Sequence, residues 1–334
     1  MKSILAIQLK RIGDLILTVP ALSALRRAYP AARISLIIDG DTAGMAPAIR
    51  EVDRIMIYRK NSFNVRTFRR LIFERYDAAL DFTGTDRSSL LTSLSKADQR
   101  IAFRWAEKNQ LRSTAYNQFI DSPVRYKHTI DHYLDLLAGV DVTPANSDLR
   151  LELPKSAYAQ VRDVLRARSI TSRYIVIHAG AARAEKYWQP ERWAAVIDHC
   201  QSVLQRPCLL IGGSSELEKV AIKEIWQSSP QKFIDLSGHL NLMASAALIA
   251  GADLFIGIDS GPSHLASAMK TAQITLFGPT NPFHWRARHD RSLILQGGKT
   301  NPRTEFDSHS SPGDLKALST EEVIHAINLL LPTP

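Results

Sequence analysis

Short apolar runs alternate with helical segments in two separate series along this chain. The clearest runs are residues 4–9 and 78–81 in the first half and residues 174–178 and 254–258 in the second half. Runs this short are typical of strands covered on both faces, and the helices between them supply the right-handed crossovers of a parallel sheet. The chain is therefore predicted to be an α/β protein with two Rossmann-like domains, each built on its own parallel sheet.

A stretch that does not fit this alternation separates the two series. It contains Pro154 and a charged helical segment, and the alternation restarts after it. Near the end of the chain, Ser319 and Glu322 have the spacing of a helix capping box. We therefore predict an N-terminal domain at residues 1–150, a linker region at residues 151–172, a second domain at residues 173–318 and a C-terminal helix at residues 319–334.

Composition and charge narrow the class of protein. Hydrophobic residues make up 45% and charged residues 22% of the chain, which excludes a disordered or collagen-like chain. The 42 basic and 33 acidic residues give a net charge of +9, which suggests a polyanionic partner or an anionic membrane surface. Cys200 and Cys208 are too few for a disulfide framework, so a reducing compartment is expected. Gln8, Lys10 and Arg11 interrupt the first apolar run, which argues against a signal peptide or a transmembrane helix.

Loops that follow predicted strands in the second half carry candidate binding residues, because open parallel sheets bind ligands beyond the carboxyl ends of their strands. The turn Asp259-Ser260-Gly261 lies between a strand and a helix, where backbone N–H groups and the helix dipole suit a phosphate. The same residues also fit a simple helix cap. Gly180 and Lys186 lie in another such loop, in which Lys186 either neutralises a diphosphate or is an ordinary solvated charge.

Two acidic residues have the same kind of position. Glu216 follows a loop of glycine and serine, where it either binds a ribose hydroxyl or only stabilises the start of its helix. Asp14 follows the first strand and is the candidate general base, although an acid beside two solvated bases at a helix start is also a common arrangement. The chain has no GxGxxG after its first strand, and the loop at residues 259–265 has no GK[ST], so neither a dinucleotide site nor a Walker A loop is predicted there.

Five segments in order along the chain resemble blocks of one known family. The most specific is IGIDSGPSHLASAMKTAQITLFGPTNP at residues 256–282, with its strand, loop and helix. The others are LKRIGDLILTVPALSALRRAYP at 9–30, YDAALDFTGTDRSSLLTSLSKADQRIAF at 76–103, HAGAARAEKYWQPERWAAVI at 178–197 and LIGGSSELE at 210–218. Together they resemble the bacterial ADP-heptose:lipopolysaccharide heptosyltransferases of glycosyltransferase family 9.

This resemblance implies the GT-B fold, in which two Rossmann-like domains have the active site between them. It also implies an inverting, metal-independent transfer of heptose from ADP-heptose to an inner-core sugar of lipopolysaccharide, without a cofactor. The N-terminal domain would bind the acceptor, and the C-terminal domain would bind the nucleotide sugar. No acidic DxD pair lies beside residues 259–261, which agrees with a site where lysine and helix N–H groups replace a metal ion.

The resemblance also implies roles for individual residues. Asp14 matches the general base of the family, and Lys186 matches its diphosphate-binding lysine. Either Glu216 or Glu218 matches the acid near the nucleoside, since the sequence does not fix the register. The remaining residues expected to bind the donor are Gly180, Arg183, Asp259, Ser260, Gly261, His264 and Thr280.

The acceptor is expected to contact basic residues of the N-terminal domain. Like charges on one helix face repel each other unless an anion offsets them, so phosphates of the glycolipid or of the anionic inner-membrane leaflet are the expected partners. No nucleic-acid partner is expected, and the enzyme is predicted to be cytoplasmic, in peripheral contact with the cytoplasmic face of the inner membrane. The residues predicted to bind the acceptor are Lys10, Arg11, Arg69, Arg70 and Arg104.

Three other functions remain open on the sequence alone. Another GT-B enzyme, either a hexosyltransferase or a nucleotide-sugar epimerase, would share the fold, and a donor screen distinguishes it. An NAD-dependent Rossmann oxidoreductase lacks the support of a GxGxxG motif. A non-catalytic protein that binds polyanions would fit the charge, and mutation of Asp14 would then affect nothing but binding.

Overall fold

The computed structural model describes residues 1–171 and 173–331. The chain forms two compact units, Met1–Glu152 and Leu153–Pro334. Ser172, the last residue of the predicted linker region, and residues 332–334 of the predicted C-terminal helix lie outside the described residues. Each unit contains its own sheet, so the two are described in turn.

The sheet of the first unit consists of β1 (Ser3–Gln8), β2 (Arg33–Asp39), β3 (Arg54–Tyr58), β4 (Ala78–Asp81), β5 (Gln99–Phe103) and β6 (Gln118–Ile120). Its strands are parallel and have the order β3-β2-β1-β4-β5-β6, which is the strand order of a Rossmann fold. β1 pairs with β2 on one side and with β4 on the other. The strand order therefore reverses between β1 and β4, which is where ligands bind in such folds.

The helices around this sheet connect its strands and cover its faces. Helix α1 (Ile12–Ala28) follows β1, and helix α2 (Val65–Phe73) connects β3 to β4. Short 3-10 helices lie at Gly40–Ala48, Arg104–Lys108, Val124–Tyr126 and Leu136–Val140. The α-helices are α1 (Ile12–Ala28), α2 (Val65–Phe73), α3 (Asp86–Leu94), α4 (Gln110–Ser113) and α5 (Thr129–Asp135).

Helix α1 differs from the sequence prediction. Residues 10–14 alone predict a turn, and Pro20, which suits a first helical position, predicts a helix that starts there. In the structure, α1 begins at Ile12 and contains Pro20 in its interior. A proline inside a helix costs about 3 kcal/mol, whereas burial of a single leucine or isoleucine side chain contributes about 1.5–3 kcal/mol. Apolar side chains are buried on both sides of the proline, so burial outweighs its cost. Asp14 consequently lies in the first helical turn rather than in a loop.

The sheet of the second unit consists of β7 (Ile175–His178), β8 (Cys208–Leu210), β9 (Ile234–Asp235), β10 (Leu254–Ile258), β11 (Gln273–Phe277) and β12 (Ser292–Gln296). It is also parallel, with the order β12-β11-β10-β7-β8-β9. Numbered from the start of the unit, this is the order of the first sheet, with its reversal between β7 and β10. The predicted α/β class with two Rossmann-like sheets is therefore confirmed, although β5, β6 and β12 were not predicted.

The helices of the second unit are α6 (Lys155–Ala167), α7 (Pro190–Ser202), α8 (Glu216–Ser228), α9 (Leu242–Ala250), α10 (Gly261–Ala268), α11 (Pro282–Trp285) and α12 (Thr320–Leu330). The predicted capping box of Ser319 and Glu322 at the start of α12 is confirmed. Helix α6, from the predicted linker region, packs against α9. Across the residues that the structure describes, none of the helices has both the length and the apolar character needed to span a bilayer.

Candidate functional site

The strands at which each sheet reverses its order are followed by the candidate residues. In the second unit, β7 leads into the loop with Gly180 and Lys186, and β10 leads into Asp259 and Ser260. In the first unit, Asp14 follows β1. The carboxyl ends of neighbouring parallel strands lie at the same edge of a sheet. The topology therefore brings the four candidates of the second unit together: Gly180, Lys186, Asp259 and Ser260.

Lys186 and Asp259 form a buried ion pair at this edge of the second unit. The Lys186 ammonium group donates to Asp259 Oδ2 at 2.6 Å and to the Asp259 carbonyl oxygen at 2.9 Å. Thr280 donates its hydroxyl to the same Oδ2 at 2.6 Å. An ammonium group has three N–H donors, and the contacts that Lys186 makes with described residues use two of them. One donor is therefore left for an anion, on a side chain that Asp259 holds in place.

The start of α10 lies beside this ion pair, because Asp259 directly precedes the N-cap residue Ser260. The Ser260 amide donates to Ser263 Oγ at 3.3 Å, and Ser263 Oγ donates to the Ser260 carbonyl oxygen at 2.7 Å. Gly261 is the first helical residue and lies at the positive end of the helix dipole. An ammonium group next to a helix N-terminus is an arrangement that suits a phosphate or diphosphate.

His178, the last residue of β7, connects Ser260 to Glu218. Its Nδ1 is 3.1 Å from Ser260 Oγ, and its Nε2 is 3.6 Å from Glu218 Oε1. Ser215 donates to the other carboxylate oxygen at 2.9 Å. The contact with His178 is the main reason that the pKa of Glu218 falls to about 2, so Glu218 is a carboxylate at neutral pH. Sequence reasoning missed His178, because a histidine at a strand end belongs to no motif of its own.

The two acids that the sequence left unresolved point in different directions. The Glu216 side chain is 85% exposed and pairs with Lys219 at 2.7 Å. The Glu218 side chain is only 14% exposed, and it lies against Gly180 and Gly213, where an added Cβ atom would collide with its carboxylate. Glycine at both positions allows this close approach. The structure therefore brings Glu218, and not Glu216, to the edge that carries the ion pair.

The remaining donor-site candidates differ in exposure. Arg183 precedes a 3-10 helix at Ala184–Lys186, and its exposed side chain pairs with Glu185 at 3.2 Å. His264 is buried in α10, with its ring centre 6.3 Å from that of Trp285. Among residues 1–171 and 173–331, no group of three His, Cys, Asp or Glu side chains is placed to hold a metal ion. The roles of Arg183 and His264 in donor binding stay predictions.

In the first unit, a buried tyrosine holds Asp14. Tyr133 in α5 donates its hydroxyl to Asp14 Oδ1 at 2.6 Å. The Tyr133 side chain is 1% exposed and meets Phe82 edge to face, with ring centres 5.9 Å apart. Burial and the charge of Asp14 raise the pKa of Tyr133 well above its usual value, so the hydroxyl keeps its proton and stays a donor. Sequence reasoning missed Tyr133, since α5 was not predicted and the two residues are 119 positions apart.

A second set of hydrogen bonds fixes the helical turn that carries Asp14. Thr18 donates to the Asp14 carbonyl oxygen at 2.8 Å and accepts from Gln8 Nε2 at 2.8 Å. Gln8 is the last residue of β1 and is fully buried, and its Oε1 accepts from the Lys10 backbone N–H at 3.3 Å. The end of β1 and the first turn of α1 are thus joined through one amide side chain, which positions the carboxylate.

Positive charge lies next to this carboxylate. The Lys10 ammonium nitrogen is 5.5 Å from the centre of the Tyr133 ring. The neighbouring His132 is buried and stacks on Phe103, with ring centres 3.8 Å apart. Burial first, and then the charge of Lys10, lower the pKa of His132 to about 4, so this histidine is neutral at pH 7. Lys10 thus lies beside the tyrosine that holds Asp14, and the exposed Arg11 is the N-cap residue of the helix that carries Asp14.

The other predicted acceptor residues occupy two different places in the first unit. Arg104 is paired with Asp121 at 2.6 Å and with Glu107 at 3.2 Å. Arg69 and Arg70 are exposed in the second half of α2. Helix α2 connects β3 to β4, so it runs from the carboxyl edge of the sheet to the amino edge, away from the edge at which α1 begins. The structure therefore does not bring Arg69 and Arg70 to the predicted base. Arg104 follows β5 at the same carboxyl edge as the start of α1, where its two acidic partners hold it.

Similarity to known proteins extends over most of the chain. Residues 65–315 match the family model described as glycosyltransferase family 9 (heptosyltransferase). The lipopolysaccharide heptosyltransferase 3 of Escherichia coli strain K12 is 27% identical, over 96% of this chain and 95% of that protein. The resemblance seen in the sequence motifs is therefore confirmed.

Solved structures with the same fold include two of similar chain length. The glycosyl transferase family 9 protein from Veillonella parvula DSM 2008 superposes with a TM-score of 0.84 at 24% identity, over 99% of this chain and 97% of that chain. The ADP-heptose lps heptosyltransferase II of E. coli superposes with a TM-score of 0.80 at 19% identity, over 99% of this chain and 98% of that chain. At these identities the likeness concerns the fold, and it confirms the expected GT-B class with two Rossmann-like units.

Proposed function

The chain belongs to glycosyltransferase family 9, the heptosyltransferases, and we propose that it transfers heptose from ADP-heptose to an inner-core sugar of lipopolysaccharide. The observation that carries the donor assignment is the anion site formed by Lys186, Asp259 and the start of α10. This site suits the diphosphate of a nucleotide sugar. The acceptor class is supported by the E. coli relative, which is named a lipopolysaccharide heptosyltransferase.

In the proposed reaction, an acceptor hydroxyl attacks the anomeric carbon of heptose, and the bond from that carbon to the diphosphate oxygen breaks. Asp14 accepts the hydroxyl proton, and ADP leaves with the electron pair of the broken bond. The remaining N–H of Lys186 and the Gly261 N–H at the start of α10 stabilise the charge that develops on the diphosphate. A single displacement of this kind inverts the anomeric configuration. No metal ion takes part in this proposal.

Glu218 is the proposed partner of the donor ribose. A carboxylate only accepts hydrogen bonds, and sugar hydroxyls donate them. A pKa of about 2 keeps Glu218 ionised at neutral pH, so it is always able to accept. Its position against Gly180 and Gly213 places it at the same strand edge as the proposed diphosphate site.

Incubation of the purified protein with a panel of nucleotide sugars and truncated lipopolysaccharide acceptors tests the proposed reaction. We expect transfer from ADP-heptose, read as a mass gain of one heptose on the acceptor, and no transfer from hexose donors. A hexose transferred from another nucleotide sugar would contradict the donor assignment. Epimerisation of a nucleotide sugar without transfer would contradict the reaction class.

Tyr133→Phe is expected to lower kcat by about tenfold and to leave the KM for ADP-heptose unchanged. The variant removes the hydroxyl that orients Asp14, and small misplacements of a reacting group cost rates of this order or more. The phenyl ring keeps its packing against Phe82, so the unfolding temperature should change little. Tyr158→Phe, at an exposed tyrosine of the second unit, is the matched control. An unchanged kcat in Tyr133→Phe would remove Tyr133 from the positioning of the base.

The acceptor is proposed to be anionic, because Lys10 and Arg11 place two positive charges beside Asp14. Lys10→Gln combined with Arg11→Gln is expected to raise the KM for a phosphorylated acceptor by about tenfold, since each exposed ion pair contributes up to about 1 kcal/mol. Added salt should have the same effect, because it screens exposed charges, while the KM for ADP-heptose changes less. Equal salt dependence for phosphorylated and dephosphorylated acceptors would refute this and would assign acceptor recognition to neutral sugar contacts.

A further inference from the structure

One exposed surface of the first unit takes no part in the reaction proposed above. It consists of Val65, Arg66, Arg69, Arg70 and Phe73, and it is called here the α2 surface. Phe73 is 79% exposed and Val65 is 67% exposed. A group of large, solvent-exposed apolar side chains marks a surface that binds a protein or a membrane. The α2 surface also contains no acidic residue.

The residues of the α2 surface share one face of the helix. Val65, Arg69 and Phe73 have the spacing i, i+4 and i+8, so their side chains form one row along the helix. Arg66 and Arg70, also four positions apart, form a neighbouring row. The buried residues of α2 lie on the opposite face, against the rest of the unit. The outward face of this amphipathic helix is therefore both cationic and apolar, where an ordinary solvated face would carry charges of mixed sign.

The arginines of the α2 surface have no acidic partner among the described residues. Arg66, Arg69 and Arg70 form no ion pair within residues 1–171 and 173–331, although Glu74 follows the helix closely. Glu74 is held by Arg54, the first residue of β3, at 2.6 Å. Like charges three and four positions apart destabilise a helix, so an external anion would stabilise α2. The arginines, together with Phe73 and Glu74, also line a depression of about 460 Å³ that is open to solvent.

We propose that the α2 surface docks the protein on an anionic lipid bilayer. The arginines contact lipid phosphates, and Val65 and Phe73 insert among the headgroups and the upper acyl chains. Phe63, which is 90% exposed and lies just before α2, extends the apolar part of the surface. A dissolved polyanion would pair with the arginines but would leave the phenyl rings in water. The combination of cations and apolar rings therefore favours a bilayer.

The direction of α2 separates this surface from the proposed acceptor cations. Lys10 and Arg11 lie at the carboxyl edge of the sheet, where α1 begins. Arg69 and Arg70 lie in the half of α2 that approaches the amino edge, where Glu74 contacts the start of β3. A phosphorylated sugar held beside Asp14 would contact Lys10 and Arg11. Arg69 and Arg70 remain available to lipid headgroups of the surrounding bilayer.

Cosedimentation of the full chain with lipid vesicles tests the cationic part of the proposal. We expect binding to vesicles of phosphatidylcholine mixed with phosphatidylglycerol, and little binding to phosphatidylcholine alone. Arg69→Gln combined with Arg70→Gln should weaken binding to the mixed vesicles by about 30-fold, since each basic residue near an anionic surface contributes about fivefold. The matched control is Arg162→Gln combined with Arg166→Gln, which removes the same charge from an exposed pair on α6 and should change binding by less than about twofold.

The apolar part of the proposal has its own pair of variants. Val65→Ser combined with Phe73→Ser should weaken binding to the mixed vesicles by about tenfold or more, because the inserted apolar area is lost. Transfer to a deacylated, water-soluble acceptor should stay unchanged in this variant. Both side chains are exposed, so the unfolding temperature should also stay unchanged. Leu111→Ser, at an 86% exposed residue elsewhere in the first unit, is the control.

Two results would overturn the docking surface. The first is that the double variant Arg69→Gln with Arg70→Gln and the double variant Val65→Ser with Phe73→Ser both bind the mixed vesicles with the affinity of the parent chain. The second is a raised KM for a deacylated, phosphorylated acceptor in the arginine variant while vesicle binding is retained, which would assign these arginines to the acceptor. Vesicle binding by a chain that shows no heptose transfer would refute the function proposed above and would support the docking surface, because the vesicle assay does not depend on turnover.

Discussion

Asp14→Asn is expected to lower kcat by about 100-fold or more and to leave the affinity for ADP unchanged. Asparagine keeps the size of the side chain, and its Oδ1 still accepts a hydrogen bond from the Tyr133 hydroxyl. An amide does not take up the proton of the attacking sugar hydroxyl, so the general base is lost. Loss of a general base commonly costs about 10²- to 10⁴-fold in rate. Lys186 and Asp259 belong to the other unit, so calorimetry with ADP should give the parent affinity.

A control and a double variant sharpen this result. Asp41→Asn, at an exposed acid of the same unit, should keep kcat within about twofold, as expected for a surface site. Tyr133 acts through Asp14, so adding Tyr133→Phe to Asp14→Asn should lower kcat no further. The effects of two residues that act together in this way are not additive. Near-normal turnover of Asp14→Asn would mean that another group accepts the proton, and the inverting mechanism would need a different base.

The sheets were predictable where their strands contain continuous apolar runs. β10 and residues 4–7 of β1 are fully buried and consist of apolar residues and glycine, a pattern that a solvated segment would not contain. The strands β5, β6 and β12 were not predicted, because each contains polar residues and is buried only in part. Helix α5 was not predictable in this way, since its buried residues include His132 and Tyr133. Polar side chains are buried there because they have partners in distant parts of the chain, such as Asp14. A local hydrophobic pattern does not contain that information.

The candidate site was predictable as separate loops but not as contacts. The sequence indicated Lys186 and Asp259, which lie 73 positions apart. They come into contact only because β7 and β10, between which the strand order reverses, are neighbours in the sheet. Glu216 and Glu218 show a second limit. Residues two positions apart on a helix are separated by about 200° around its axis, so one faces the strand edge and the other faces solvent. Packing of α8 against the sheet decides which, and this is not a property of the local sequence.

Lys186→Ala is expected to lower kcat/KM by about 30- to 1000-fold, which corresponds to about 2–4 kcal/mol of lost stabilisation of the departing diphosphate. Lys186→Arg keeps the charge and should retain part of the activity. The same account predicts that turnover of the parent chain continues in EDTA, because ammonium and helix N–H groups carry the stabilisation. Loss of turnover on chelation, with recovery on addition of magnesium, would contradict it.

Lys186 also neutralises Asp259, and this second role has to be separated from catalysis. Asp259 is 6% exposed, so Lys186→Ala leaves a buried carboxylate supported only by Thr280 among the side chains described, and the unfolding temperature should fall. Lys186→Ala combined with Asp259→Asn removes the unpaired charge, so its unfolding temperature should return toward that of the parent chain. Its kcat/KM should remain low, because the donor for the diphosphate is still missing. Recovery of activity together with stability would instead mean that Lys186 serves only to balance Asp259.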